Sequence, residues 1–118
     1  MFDEKLVQEA LETIDKKSYE DYRSDDTEGS LLIDVRELNE LQKYGSIDKA
    51  TNIPLGEIES KFIESNLNKD TPIYLYCAVG IRSAISGLML NKLGFLNIYN
   101  LGGYEELIEQ GAPTKKMT

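Results

Sequence analysis

Apolar positions recur along this chain in two rhythms, one of three to four residues and one of short continuous runs. Over Asp3–Lys17, Leu6, Val7, Ala10, Leu11 and Ile14 fall three and four apart, which predicts an amphipathic helix. Ser18–Ser30 is polar and acidic and predicts a loop. Leu31–Val35 is a short apolar run of strand formers, and Glu37–Tyr44 predicts a short helix presenting Leu38 and Leu41, ended by Gly45. Ala50–Ile53 predicts a strand closed by Pro54, and Glu57–Glu64 a helix with Ile58, Phe62 and Ile63 on one face. After Pro72, Ile73–Tyr76 is the most strand-like segment of the chain. Cys77–Arg82 follows as a loop, and Ser83 can cap a helix that runs to Leu93 and stops at Gly94. Leu96–Tyr99 predicts a strand, Gly102–Gly103 a turn, and Tyr104–Gln110 a last helix closed by Gly111.

Strands separated by helices at this spacing predict an α/β fold, with a mainly parallel sheet covered by helices on both faces. With 118 residues, no repeat and no dividing linker, the chain reads as one domain. Charge narrows the function. Thirteen basic against 21 acidic side chains give a net charge of −8, which counts against nucleic acid and against an anionic membrane surface as partners. No apolar run is long enough for a membrane helix and the N-terminus is acidic, so a cytoplasmic location is expected. The absence of His removes Ser-His-Asp and Cys-His hydrolysis, His general bases and His-ligated zinc. Residues 1–29 hold most of the negative charge, whereas Thr71–Tyr104 contains Arg82 and Lys92 and no carboxylate. Either apolar core elements exclude charge there, or the segment keeps negative charge away from an anionic ligand.

The single Cys lies inside that stretch. A Cys at the carboxyl end of a strand stands where open α/β sheets bind ligands. With Gly80 permitting a tight loop, successive N–H groups can turn inward as an anion-binding nest, and the helix behind adds its positive end. These effects, with Arg82 beside them, favour a thiolate and predict a depressed Cys77 pKa. The competing reading is equally open at this level: a lone Cys after an apolar strand is often a small buried hydrophobe.

The order Cys77-Ala78-Val79-Gly80-Ile81-Arg82-Ser83 after an apolar strand resembles the active-site loop of single-domain rhodaneses, the thiosulfate or persulfide sulfurtransferases. Leu31–Glu37 (LLIDVRE), Ala50–Leu55 (ATNIPL), Gly94-Phe95, Leu101-Gly102-Gly103 and Gly111-Ala112-Pro113 are similar to that family's other motifs, in the same order. The resemblance implies a three-layer α/β/α domain over residues 30–113. Residues 1–29 would add an N-terminal helix and acidic connection, and 114–118 a tail. It also implies catalysis by Cys77, which takes the outer sulfur of thiosulfate or a low-molecular-weight persulfide and passes it, as a persulfide, to a thiol, to cyanide or to a protein acceptor. Ala78, Val79, Gly80, Ile81, Arg82 and Ser83 would hold substrate, the N–H groups of residues 78–82 would stabilise the sulfur anion, and no metal or organic cofactor is implied. Asp34 and Arg36 read mainly as structural support and Tyr74 and Tyr76 as sheet packing. Arg82 reads either as a substrate contact or as a brace to a carboxylate.

The chain departs from the family pattern in places. Ser46 and Lys49 replace a His and a Gly, which reads as a change in a surface turn, and Leu107 occupies the neighbourhood of a usual Trp. Ala78 and Val79 are apolar where many members are basic or polar, which suits a persulfide better than doubly charged thiosulfate. Two other readings stand beside transfer. One is a rhodanese-like carrier or regulatory module with little turnover. The other is a phosphatase or arsenate reductase, disfavoured because those loops place Arg six residues after the Cys, where this chain has Ser83.

Overall fold

The computed structural model describes residues 2–25 and 28–117; positions 26 and 27 of the expected acidic loop, and the residues at both termini, lie outside that description. In chain order the elements are α1 (Glu4–Thr13), β1 (Asp15–Lys16), α2 (Tyr19–Asp25), β2 (Leu31–Asp34), α3 (Leu38–Tyr44), β3 (Ser46–Ile47) and β4 (Thr51–Asn52). They continue with α4 (Leu55–Glu64), β5 (Ile73–Cys77), α5 (Ile81–Lys92), β6 (Ile98–Gly103), α6 (Tyr104–Glu109) and β7 (Thr114–Lys115). Five strands pair in parallel in the order β1-β6-β5-β2-β4, and β3 and β7 form a small antiparallel pair. The α/β architecture with a parallel central sheet is therefore the one expected.

Alternation along the strands builds the two cores. Ile33, Ile73, Leu75, Cys77 and Ile98 turn to the face covered by α1, α4 and α5, where Ala10, Ile14, Ile58, Phe62, Ile85 and Leu88 meet them. Leu32, Tyr74, Tyr76 and Leu101 turn to the other face, against Tyr22, Ile47, Tyr104 and Leu107. All five residues of β5 are buried, as expected for the middle strand of a sheet covered on both sides. From β2 the chain moves outward to β4, and from β5 it moves the opposite way to β6. The crevice beyond the carboxyl ends of β2 and β5 is thus the switch point where such sheets bind ligands.

Several local expectations are corrected. The first helix ends at Thr13; Ile14 is extended, and Asp15–Lys16 pair with Tyr99–Asn100 as an edge strand. Ile14 is buried as an extended residue, so its place in the apolar spacing did not mark the end of the helix. The acidic segment contains α2, because Ser18 and Asp21 cap its first turn reciprocally (3.0 and 3.1 Å) and Tyr22 packs edge-on against Tyr74. Helix α4 starts at Leu55, and α5 starts at Ile81 with Gly80, not Ser83, at its N-cap. Gly102–Gly103 ends β6 instead of forming a turn, and Thr114–Lys115 pairs with Ser46–Ile47 where a tail was expected.

Candidate active site

Strand β5 ends at Cys77, and the chain then curls back into α5 around its sulfur. The backbone N–H of Gly80 donates to Sγ at 3.1 Å and that of Ser83 at 3.4 Å, while Ser83 Oγ lies 3.4 Å away. Gly80 makes the curl with φ +96°, a conformation that side-chain-bearing residues rarely adopt. Cys77 is fully buried at the floor of this loop, and Val79 at its tip is 76% exposed. Two N–H groups and the N-terminus of a twelve-residue helix therefore converge on one sulfur, an arrangement that stabilises negative charge there. Of the five N–H groups expected to face the sulfur only Gly80's donates, joined by Ser83's from the first helical turn.

A buried amide holds this loop in shape. Asn100, on β6, donates from Nδ2 to the Gly80 carbonyl at 3.0 Å, and its Oδ1 accepts from Ser83 Oγ at 2.7 Å and from Gly102 N–H at 2.9 Å. The single hydroxyl hydrogen of Ser83 thus points to Asn100, and its oxygen offers a lone pair toward Sγ. Gly103 backs the loop from behind, since a Cβ there would lie 2.4 Å from the Ala78 carbonyl oxygen. Asn100 was not singled out from sequence, and Gly103 was read only as part of a turn and of a family motif. The available signal was a polar Asn inside an otherwise apolar strand, and a Gly pair that reads first as a turn.

Arg82 sits at the foot of α5 and turns away from the sulfur. Its two terminal nitrogens fork onto Glu40 of α3, at 2.6 and 2.9 Å, and Glu37 N–H also donates to Glu40 Oε1. Arg82 hydrogen bonding, opposed by partial burial and helped by the Glu37 N–H, holds the Glu40 carboxyl down at about 2. The same Glu40 contact raises the pKa of Arg82. Of the two sequence readings of Arg82, this geometry is the brace.

Asp34 and Arg36 follow β2 at the neighbouring strand end and are buried as a pair. Arg36 Nε and Nη2 donate to the Asp34 carboxylate, at 3.0 and 2.7 Å to the nearer oxygens, and Nη2 also donates to the Gly45 carbonyl at 2.8 Å. Burial opposes the Arg36 charge, but the hydrogen bonds and field of Asp34 outweigh it, so its pKa is raised. Its guanidinium lies 4.3 Å from the Tyr104 ring centroid. The Tyr76 hydroxyl accepts from Ile47 N–H and donates to Ser46 Oγ, which in turn donates to Asp34. Burial, with the nearby Asp34 charge, pushes the Tyr76 phenol up. Ser46 is therefore a buried link and not part of a surface turn: a short hydroxyl fits between Tyr76 and Asp34. Lys49 does lie in an exposed turn, with φ +74°. Tyr74 and Tyr76 pack within the sheet's second core. An open cavity of about 320 Å³ lies beside the loop, lined by Ala78, Arg36, Glu40, Tyr44, Tyr104 and Glu105.

The fold is thus an α/β domain whose central strand ends in a buried cysteine, with a helix N-terminus behind the sulfur. The chain belongs to the rhodanese-like domain family, whose model matches residues 7–110. It is 42% identical over 76 residues to the uncharacterised protein YqhL of Bacillus subtilis (strain 168), a match covering 64% of this chain and 58% of that protein. It is 36% identical over 77 residues to YrkF of the same organism, named as a candidate sulfur carrier protein, covering 65% of this chain and 40% of YrkF. These matches span about half the length of the two curated relatives. Among solved structures, the 30 kDa polysulfide-sulfur transferase homodimer of Wolinella succinogenes superposes with a TM-score of 0.79 at 28% identity, covering 95% of this chain and 85% of that one. Among the described residues no helix is long and apolar enough to cross a membrane.

Proposed function

We propose that this domain is a sulfurtransferase that carries sulfane sulfur as a persulfide on Cys77. The observation that supports it most directly is the pair of N–H groups aimed at Sγ from the loop and the first turn of α5. In the first displacement the Cys77 thiolate attacks the outer sulfur of the donor. The new bond is Sγ–S; the bond that breaks joins that sulfur to sulfite (from thiosulfate) or to a thiolate (from an organic persulfide). In the second, an acceptor thiolate or cyanide takes the outer sulfur and returns Cys77 as thiolate. Each step is a displacement in which the attacking group supplies the new bonding pair and the leaving group keeps the old one, so neither step calls for a metal or an organic cofactor. Donors fixed in the loop would stabilise thiolate and persulfide alike without reorganising.

Kinetics test the reading. With thiosulfate and cyanide varied together, one covalent intermediate predicts parallel double-reciprocal lines and complete loss of turnover in Cys77→Ser. Intersecting lines, or turnover surviving in Cys77→Ser, would overturn it. A carrier with little turnover is the second reading, favoured by the complete burial of Cys77 and by the likeness to YrkF. It predicts that Cys77 loads with sulfur but discharges slowly to small acceptors.

A further inference from the structure

The cations around the Cys77 loop are each paired with a carboxylate. Arg82 forks onto Glu40, and Arg36 onto Asp34. Lys16, which packs against Gly102 behind Gly80, pairs with Glu106 at 2.8 Å. Glu105 has no such partner. It lines the cavity of about 320 Å³ together with Ala78 of the loop, and it is exposed. Among the described residues no cation lies within 4 Å of its carboxylate. Lys43, Lys115 and Lys116 line a different cavity, which shares only Tyr44 and Tyr104 with this one.

The sheet fixes where Glu105 stands. Cys77 and Gly103 are register partners on β5 and β6, and Glu105 follows two residues later in the first turn of α6. Gly103 in turn lies against the Ala78 carbonyl. Cys77 is fully buried, so a reactant that comes through this cavity passes Glu105 before it meets the loop. The stretch Thr71–Tyr104 holds no carboxylate, yet the fold sets Glu40 of α3 and Glu105, the residue just after that stretch, at its edge. With the paired charges cancelling, the cavity keeps one uncompensated charge, and it is negative. The N-terminus of α5 acts on the sulfur itself and within about one turn. Glu105 acts farther out, on the charge of whatever approaches.

From this juxtaposition we propose that Glu105 is a specificity-determining residue that biases Cys77 against reactants with negative charge beside the reacting sulfur, thiosulfate above all, and toward neutral or cationic ones. For sulfur donors the proposal rests on the sulfur-transfer reading of Cys77; the field of Glu105 acts on any reagent that reaches the thiolate.

The test compares Glu105→Gln with Glu64→Gln, which removes the same charge from the exposed end of α4 on the opposite face of the sheet. Sulfur loading of Cys77 from thiosulfate should be about threefold faster in Glu105→Gln at low ionic strength, the effect of one unit charge acting on a dianion across water. In Glu64→Gln it should stay within about 1.3-fold of wild type, because that charge is remote and screened. The Glu105 effect should fade in about 1 M sodium chloride, where screening acts within about 3 Å. An equal change in both variants, or none in Glu105→Gln, would overturn the proposal. Two methanethiosulfonates, one with an anionic sulfonatoethyl group and one with a cationic trimethylammonioethyl group, keep it apart from the transfer reading. Each forms a mixed disulfide with the Cys77 thiolate and releases methanesulfinate, which keeps the old bonding pair. The ratio of their rates should shift about threefold toward the anionic reagent in Glu105→Gln alone. That shift, even with no loading from thiosulfate, supports the role of Glu105, and the missing loading then counts against the transfer reading alone. An unchanged ratio, or no reaction of wild type with either reagent, overturns the proposal whatever the loading.

Discussion

At the scale of single residues, the site depends on a side chain that performs no chemistry. Asn100 connects the Gly80 carbonyl, the Ser83 hydroxyl and the Gly102 N–H, all buried, and two of those three residues donate to or lie beside Sγ. Asn100→Leu keeps the volume but leaves these groups unsatisfied, each at about 1–3 kcal/mol if the loop does not relax. The variant should unfold at distinctly lower urea, and its Cys77 should load with sulfur more slowly than wild type under native conditions. An unchanged loading rate in a destabilised variant would make Asn100 a scaffold residue without influence on the sulfur. Cys77 and the loop that follows it were readable from sequence because Gly, Arg and Ser stand at fixed offsets from the Cys. Asn100 was not, because its partners come from β6 and α5, brought together only by tertiary pairing.

At the scale of elements, two glycines separate backbone constraint from side-chain packing. An added Cβ at Gly103 would meet the Ala78 carbonyl oxygen at 2.4 Å, and that atom belongs to the Cys77 loop and cannot swing aside. At Gly87 in α5, the nearest atoms are methyl and methylene carbons of Ile14 and Ile98 at 3.1 Å, which can give by a few tenths of an ångström. Gly103→Ala should therefore cost at least about 2 kcal/mol and slow sulfur loading. Gly87→Ala should lie within about 1 kcal/mol of wild type, because gained helix propensity offsets the crowding. Urea midpoints and loading rates check both; equal effects would contradict the role of Gly103 as the back wall of the loop.

The longer elements were legible for the same reason that they are stable. β5 is an apolar run buried on both faces, and α4 keeps Ile58 and Phe62 on its buried stripe. Two-residue strands carry no periodicity, so β1, β3 and β7 could not be read. Helix α2 was hidden by its acidic composition: it is tied down by the Ser18–Asp21 cap, by Tyr22, and by tertiary contacts that sequence does not display, Tyr19 N–H on Gln110 and Asp25 on Lys17.

At the scale of the whole molecule, the ion pair between α3 and α5 links the two walls of the crevice and makes stability depend on acid. Glu40 titrates at about 2 in the fold against an ordinary 4.5, so its contribution is complete above pH 4.5 and fades as the pH falls toward 2. The shift corresponds to at most about 3 kcal/mol, and to about 1–2 kcal/mol once solvent screening of the partly exposed side chains is allowed for. Glu40→Gln should be less stable than wild type at pH 7 by that amount, and the difference should vanish by pH 2. A constant difference across pH 2–7 would show that the carboxylate charge does not matter. The uneven charge of the chain, with most of its net negative charge before residue 30, was visible at once in the sequence.

The central claim is that Cys77 itself carries the sulfur, and intact-protein mass spectrometry tests it most directly. After incubation with thiosulfate, and separately with glutathione persulfide, the account predicts a gain of one sulfur atom on wild type, none on Cys77→Ser, and return to the starting mass when cyanide is added. No gain from either donor, or an equal gain on Cys77→Ser, would contradict it.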